Sequence, residues 1–418
     1  MPTPAILFDD AKGHLSPLTD LRPSFLVRTG AMTTAERLIA AFDLEPIAAV
    51  VPNDLAELAA EQINAPINRV PAGDDAEPIL LINGRCTLPI DAIGALEPGH
   101  ALLEQSTDDM IAARLTRADV RRLLSGDQPD LRTIEIENAV LASRPWDWAK
   151  TLPTALDIDL KHFLKGPSAQ PHVGVTTLGD HPIHIHPSVS VSPTVVLDAT
   201  SGPIVIDENA TVRPLAIIKG PSYVGPGSTV LDQSLIKEKT AIGPVCKVAG
   251  EISGTVFQGY ANKAHAGHLG DAWVGEWVNL GADTTNSNLL NTYTTIKQKP
   301  EPGASYEDTG LTFLGCVLGD HTKTAIATRV MTGAMVGTGA MHAATKALEG
   351  WTAPFTWATD AGDKPFRLGK FVEIAMTVMA RRNVQQSQAY ARRLTVLHER
   401  ATGQGSGMSW EGKPQGAS

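Results

Sequence analysis

The chain has 418 residues, enough for two or three domains, with 43% apolar residues and a formal net charge of −10. That acidity argues against nucleic acid or an anionic membrane as the main partner. Aromatics are only 5%, against 37 glycines and 29 prolines, so the composition points to many turns and a core of small aliphatics. Three scattered cysteines (Cys86, Cys246, Cys316) have no metal-ligand spacing and fit a reducing cytoplasm. The opening MPTPAILFDDAKGHL lacks the pattern of a secretory signal. No apolar run reaches the roughly 18 residues of a membrane span.

Residues 1–165 read as an α/β domain. AILF and PILLIN have the short apolar runs of buried strands. TTAERLIAAF reads as a helix capped by Thr33 or Thr34. STDDMIAARL reads as another helix, with Ser106 as cap and Asp109 three residues on. RPWDWAKTLPTALDIDLKHFL forms a helical bridge to the second region.

Residues 183–345 have a different texture. Aliphatics recur every six residues at Ile206, Val212, Ile218, Val224, Val230, Ile236, Ile242 and Val248. Ile185, Val191 and Leu197 keep the register earlier. Val274, Leu280, Leu318, Val330 and Val336 keep it later, with Thr324 in the intervening slot. Neither the 3.6-residue nor the two-residue period gives this spacing. It is the mark of a parallel β-helix of hexapeptides, in which each sixth side chain points into a triangular prism. Residues 298–317 interrupt the coils and read as an extended loop. Residues 346–401 read as a helical extension, with one helix from Gly369, and the Gly/Ser-rich 402–418 as a disordered tail.

Within the repeats, KAHAGHLGDAWVGEWVNLGADTTNSN resembles the active-site coils of the bifunctional N-acetylglucosamine-1-phosphate uridyltransferase/glucosamine-1-phosphate acetyltransferase family. The likeness is nearest to a divergent branch of sugar nucleotidyltransferases. Anchored on Leu269-Gly270-Asp271-Ala272, the resemblance implies His265 as the catalytic base. It implies Asn279 and Asn288 as sugar contacts, and Ala282 as a residue beside acetyl-CoA. His268 falls where the family has a sugar-contacting tyrosine. The phosphate of the acceptor needs cations, for which Lys247, Lys263 and Lys297 are candidates, but Ala249 stands where an arginine is expected. The chemistry fits the assignment. Acyl transfer from a thioester needs a base near neutral pH, aimed oxyanion donors, and neutral amides for sugar hydroxyls.

The start, ILFDDAKGHLSPLTDLRPSFLVRTG, is similar to the opening of sugar-1-phosphate nucleotidyltransferases. The glycine pair of their phosphate loop is replaced by Asp9-Asp10-Ala11. This implies a degenerate nucleotidyltransferase-like domain with Lys12, Arg22 and Arg28 as the remaining nucleotide contacts, and Mg²⁺ only if the domain is active. The INGR ending at Arg85 closes a strand where α/β domains place ligands.

The expected architecture is therefore an α/β domain, a left-handed parallel β-helix and a C-terminal α-helix. The leading reading is acyl transfer from acetyl-CoA or another acyl-CoA to a sugar phosphate or nucleotide sugar, in a cytoplasmic homotrimer whose 298–317 loop reaches toward a neighbour. The alternatives are a sugar-1-phosphate nucleotidyltransferase with the β-helix serving assembly, a zinc hydratase using His265, His268, His321 and His342, and a structural protein with an inactive site.

Overall fold

The computed structural model describes residues 2–127 and 129–403. The chain opens on strand β1 (Thr3–Phe8), helix α1 (Thr34–Phe42), strand β2 (Leu44–Val50) and helix α2 (Ala56–Gln62). Strand β3 (Pro78–Asn83), the short helix α3 (Asp91–Gly94), and strands β4 (His100–Glu104) and β5 (Asp109–Thr116) come next. Helix α4 (Arg117–Leu124), strand β6 (Arg132–Ile136) and the long helix α5 (Pro145–Phe163) complete this part. The strands form one mixed sheet in the order β2-β1-β3-β5-β4-β6.

Of the two expected caps, Thr33 and Thr34, Thr33 is the one that caps α1, in a full capping box with Glu36. The expectation of a helix at Ser106 is overturned. MIAARL is β5, paired antiparallel with both β3 and β4. Sheet pairing on two sides outweighs the helix propensity of this run, and the helix starts one element later, where Thr116 caps α4.

The second part is the left-handed parallel β-helix that the hexapeptide pattern predicts, built of three stacked parallel sheets. Ile206, Val212, Ile218, Val224, Val230, Ile236, Ile242 and Val248 are fully buried in one continuous core. Burial of each such side chain is worth roughly 2 kcal/mol. The turns have the same period. Asn209, Leu215, Gly227, Gln233, Lys239 and Val245 all have positive φ. A left-handed turn residue other than glycine costs roughly 1 kcal/mol, which the stacking of coil upon coil offsets.

The prism's faces differ. Val205, Tyr223, Ala241, Val256, Trp273, Val317 and Met335 point outward from one sheet and are nevertheless apolar, because α5 and the loop after β1 cover them. The middle strands of that sheet, from Ile204–Ile206 to Ala334–Val336, are buried on both faces and mostly apolar, with Ser222 and Thr240 the polar residues among them. A fully buried ion pair, Arg37 with Asp159 at 2.7 Å, fastens α1 to α5.

Between Thr285–Asn286 and Cys316–Leu318 the chain leaves the prism and forms a small hairpin, Lys297–Gln298 against Glu307–Asp308. This segment packs on its own chain, where the Arg144 guanidinium donates to both Glu307 oxygens at 2.8 Å. Ile296 and Leu314 pack on Trp146. Strands continue beyond residue 345 as far as Gly362–Pro365. The single helix expected from Gly369 is divided into α6 (Leu368–Ala380) and α7 (Gln388–Thr402). Asn383 takes a left-handed conformation between them, and the Ser387 side chain caps α7. The rest of the expected tail, from residue 404, lies outside the described residues.

Candidate functional site

The carboxyl ends of β1 and β3 meet the start of β5, and six polar side chains converge there. Asp9 accepts the backbone N–H of Ala11 at 3.0 Å and of Ser24 at 2.7 Å, which closes the loop after β1. Asp10 accepts the Arg85 guanidinium at 2.9 and 2.7 Å and the Asn83 amide at 2.8 Å. Arg85 also donates to Asp109 at 2.5 Å, and the Lys12 ammonium pairs with the other Asp109 oxygen. Desolvation pushes both carboxyls up, but these donors outweigh it and hold Asp10 and Asp109 below the usual carboxylate range.

This arrangement does not suit Mg²⁺. The ion asks for free carboxylate oxygens in an octahedral oxygen shell. Both carboxylates here already hold cationic donors, with the buried Arg85 between them.

Of the three expected nucleotide contacts, only Lys12 stands at the strand ends. Arg22 is corrected. It is buried against the prism, 3.0 Å from Asp320 and 3.2 Å from Glu276, and those acids raise its pKa against the pull of burial. Arg28 stands apart from the strand ends: its guanidinium donates to the Ala31 carbonyl, and its backbone N–H and C=O both bond the Gln258 side chain across the contact between the two parts. Both arginines join the domains.

On the prism, His265 is exposed at the corner between Asn262–Lys263 and His268–Gly270. Two glycines shape this corner. Gly250 and Gly267 have φ of +82° and +112°, and a Cβ on Gly267 would lie 2.2 Å from the Thr284 carbonyl oxygen one coil away. Lys263 occupies the inward slot of the hexapeptide, paired with Val248. Its ammonium donates to the carbonyls of Ala249, His265 and Ala266 at 3.3, 2.5 and 2.9 Å. Burial pushes that ammonium down to about 8. Lys263 is thus buried, with its ammonium turned to the backbone at the His265 corner. Asn286, also inward, bonds Gly270 in both directions at 2.8 Å. The aliphatic core is thus interrupted by polar residues directly behind this corner.

His268 lies 3.6 Å from Glu251, its neighbour one coil up. Its ring and the Asn288 amide meet over Gly270, and Asn288 donates to Asp271 at 2.6 Å. Burial raises the Asp271 carboxyl although Asn288 pulls it down. Ala282 sits at the next corner along the same edge, its carbonyl bonded by the Ala327 N–H. Asn279 and Lys247 belong to the adjoining face, in one column with Asn262 and Lys323. Lys297 is on the excursion hairpin, away from this edge. The structure thus brings His268 and Asn288 together on the face after the His265 corner, and places Asn279 and Lys247 on the face before it.

Sequence reasoning missed Glu251 and Asp271, which face His268 and Asn288, and Lys323. Lys323 had a signal: it precedes the inward Thr324 as Lys247 precedes Val248, so it belongs to the same outward column. His321 is buried against Tyr390 at 2.7 Å and His342 bonds the Lys346 carbonyl at 2.9 Å. Among the described residues, no three His, Cys, Asp or Glu side chains of one chain gather as a metal site.

The α/β sheet is thus fastened along one face of a hexapeptide prism. Residues 5–167 match the family model described as sugar nucleotidyl transferase, which covers the sheet and α5. The match places a sugar nucleotidyl transferase-like domain in the amino-terminal part. A comparison with curated proteins finds no match. Among the described residues, no helix is long and apolar enough to cross a membrane.

Proposed function

We propose that the prism edge transfers an acyl group from acyl-CoA, in the simplest case acetyl-CoA, to a sugar phosphate or nucleotide sugar. The observation that carries this reading is the lysine inside the prism. A chain does not place an ammonium in an aliphatic core without a compensating role, and Lys263 fixes the carbonyls of His265 and Ala266. His265 takes the proton from the attacking sugar hydroxyl or amine. The nucleophile's lone pair forms the new bond to the thioester carbonyl, the C–S bond breaks, and CoA leaves as a thiol. His268 and Asn288 hold the acceptor, and Ala282 leaves room for the acyl-CoA along the edge.

An edge of this kind is open on one side, and a neighbouring prism would close it. Leu178, Leu215 and Ile217 are exposed apolar residues on the same side of the prism as His268. A homotrimer is the assembly proposed, and light scattering would give three times the 44.3 kDa chain mass. A monomer would overturn it.

The decisive measurement is CoA release with candidate acceptors. His265→Ala should lower it by about 10²- to 10⁴-fold. Full activity in that variant would end the proposal. The second reading, nucleotidyl transfer by the amino-terminal part with the prism serving assembly, is favoured by the family match over residues 5–167. Pyrophosphate release from a nucleoside triphosphate and a sugar phosphate would support it, and the ion-paired state of Asp10 and Asp109 argues against it.

A further inference from the structure

A cavity of about 330 Å³ lies between the carboxyl end of α6 and the prism face that carries Lys247 and Asn279. Lys247 and Lys323 come from the prism, and Arg381 and Arg382 from the residues just after α6. Among the described residues, no carboxylate lines it and none of these four cations takes part in a salt bridge. In a chain of net charge −10, four cations gathered without an acid are a cost unless something negative enters.

The polar groups are partly prepared for a ligand. Lys323 donates one hydrogen bond, to the His321 carbonyl at 3.1 Å, which leaves two of its three N–H donors. Burial pushes its ammonium down to about 8. Arg382 is held by Asn262 at 2.9 Å, so its guanidinium is fixed in place. Tyr260 and Trp277, stacked with ring centroids 4.2 Å apart, form an aromatic wall. Arg381 alone would be unremarkable, since cations complement the negative end of a helix. That account does not extend to Lys247 and Lys323, which belong to the prism.

We propose that this cavity is a binding site for the diphosphate group of a phosphorylated ligand. Arginine forks and lysine ammonium groups are the donors that recognise phosphate oxygens. Both partners of the proposed reaction can bring such a group, because CoA and a nucleotide sugar each contain a diphosphate. Only the ligand's identity rests on the acyl-transfer reading; the site itself does not.

Titration calorimetry of the full chain with inorganic pyrophosphate tests the site. Wild type should bind it. The double replacement Arg381→Ala/Arg382→Ala, and separately Lys323→Met, should each weaken binding by at least about tenfold, the loss expected for a charge-assisted contact. Lys370→Ala removes a cation from the same helix, where it pairs with Glu373, and should leave binding unchanged. Repeating the titrations with CoA and with a uridine diphosphate sugar identifies the source as the ligand that the same variants weaken. No pyrophosphate binding by wild type, or equal binding by wild type and both variants, overturns the proposal. The two readings fail separately. Loss of pyrophosphate binding in these variants with full CoA release in His265→Ala keeps the site and removes acyl transfer. The reverse pattern keeps acyl transfer and removes the site.

Discussion

The strand ends of the amino-terminal sheet and the α6 face of the prism handle charge in opposite ways. At the strand ends two acids and two bases neutralise one another, and the Arg85 guanidinium bridges Asp10 and Asp109. At the prism face four cations surround a cavity with no acid among its described lining. A closed network of this kind has little left to offer a ligand, whereas an open one requires a ligand to complete it. The family match covers the sheet with the closed network, not the face with the open one.

The contact between the two parts offers the largest test of this contrast. Arg22 with Asp320 and Glu276 is closed like the strand-end cluster, but it serves to join domains. Arg22→Met would leave Asp320 buried without its cation, and the stability lost should be about 3–5 kcal/mol. Burial already pushes Asp320 up, to about 7, against the pull of Arg22. A carboxyl whose folded pKa lies above its unfolded value near 4 binds more protons in the native state, so its contribution falls as pH rises from about 4 to about 7. In Arg22→Met that decline should extend to higher pH, and Asp320→Asn added to it should restore most of the loss. Thermal denaturation against pH measures both. A variant as stable as wild type at pH 8 would show that Arg22 is not a latch.

Arg85→Ala probes the strand ends next. Two mostly buried carboxylates would lose their shared partner, which should cost about 3 kcal/mol. The same change would free oxygens for a metal, so Mn²⁺ should raise the melting temperature of the variant and leave wild type unmoved. In wild type, the lowered pKa values of Asp10 and Asp109 stabilise the fold above the unfolded carboxylate value. That contribution is lost as pH falls through the folded values. The acid limb of denaturation should therefore be shallower in Arg85→Ala. Wild type stabilised by Mn²⁺ to the same extent would reopen metal-dependent nucleotidyl transfer.

Much of this molecule was legible as sequence, and the reason is local. Each hexapeptide places one side chain inside the prism, so Ile206 through Val248 state their burial without reference to distant residues. The left-handed turn residues repeat the same period. The corner at His265 was legible through its glycines and its likeness to a known family. The closed clusters were not, because their partners lie far apart in the chain. Arg85 meets Asp10 from 75 residues away, and Arg22 meets an acid of the second domain. An arginine near a phosphate-loop motif therefore reads as a nucleotide contact until the prism supplies Asp320. Likewise MIAARL reads as a helix until β3 and β4 flank it. Lys263 reads as a cation for substrate because a lysine rarely occupies an inward slot.

Lys263 gives the smallest change in stability and the most specific change in function. In Lys263→Met the buried charge disappears, but three carbonyls lose their donor. These effects oppose each other, so stability should shift by only about 1 kcal/mol. The backbone under His265 would be free to move, and CoA release should fall by about 10- to 100-fold. A pH series separates positioning from simple packing. With its ammonium pushed down to about 8, wild type loses the charge and one of the three N–H donors that hold the corner as pH rises through that value, and activity should decline there. Stability should run the other way. The native state sheds its proton before the unfolded chain does, so from about 8 to about 10.4 the unfolded state binds more protons and stability rises with pH. Lys263→Met should lack both effects. An alkaline activity limb that persists unchanged in Lys263→Met would assign the titration to another group and reduce Lys263 to a packing residue.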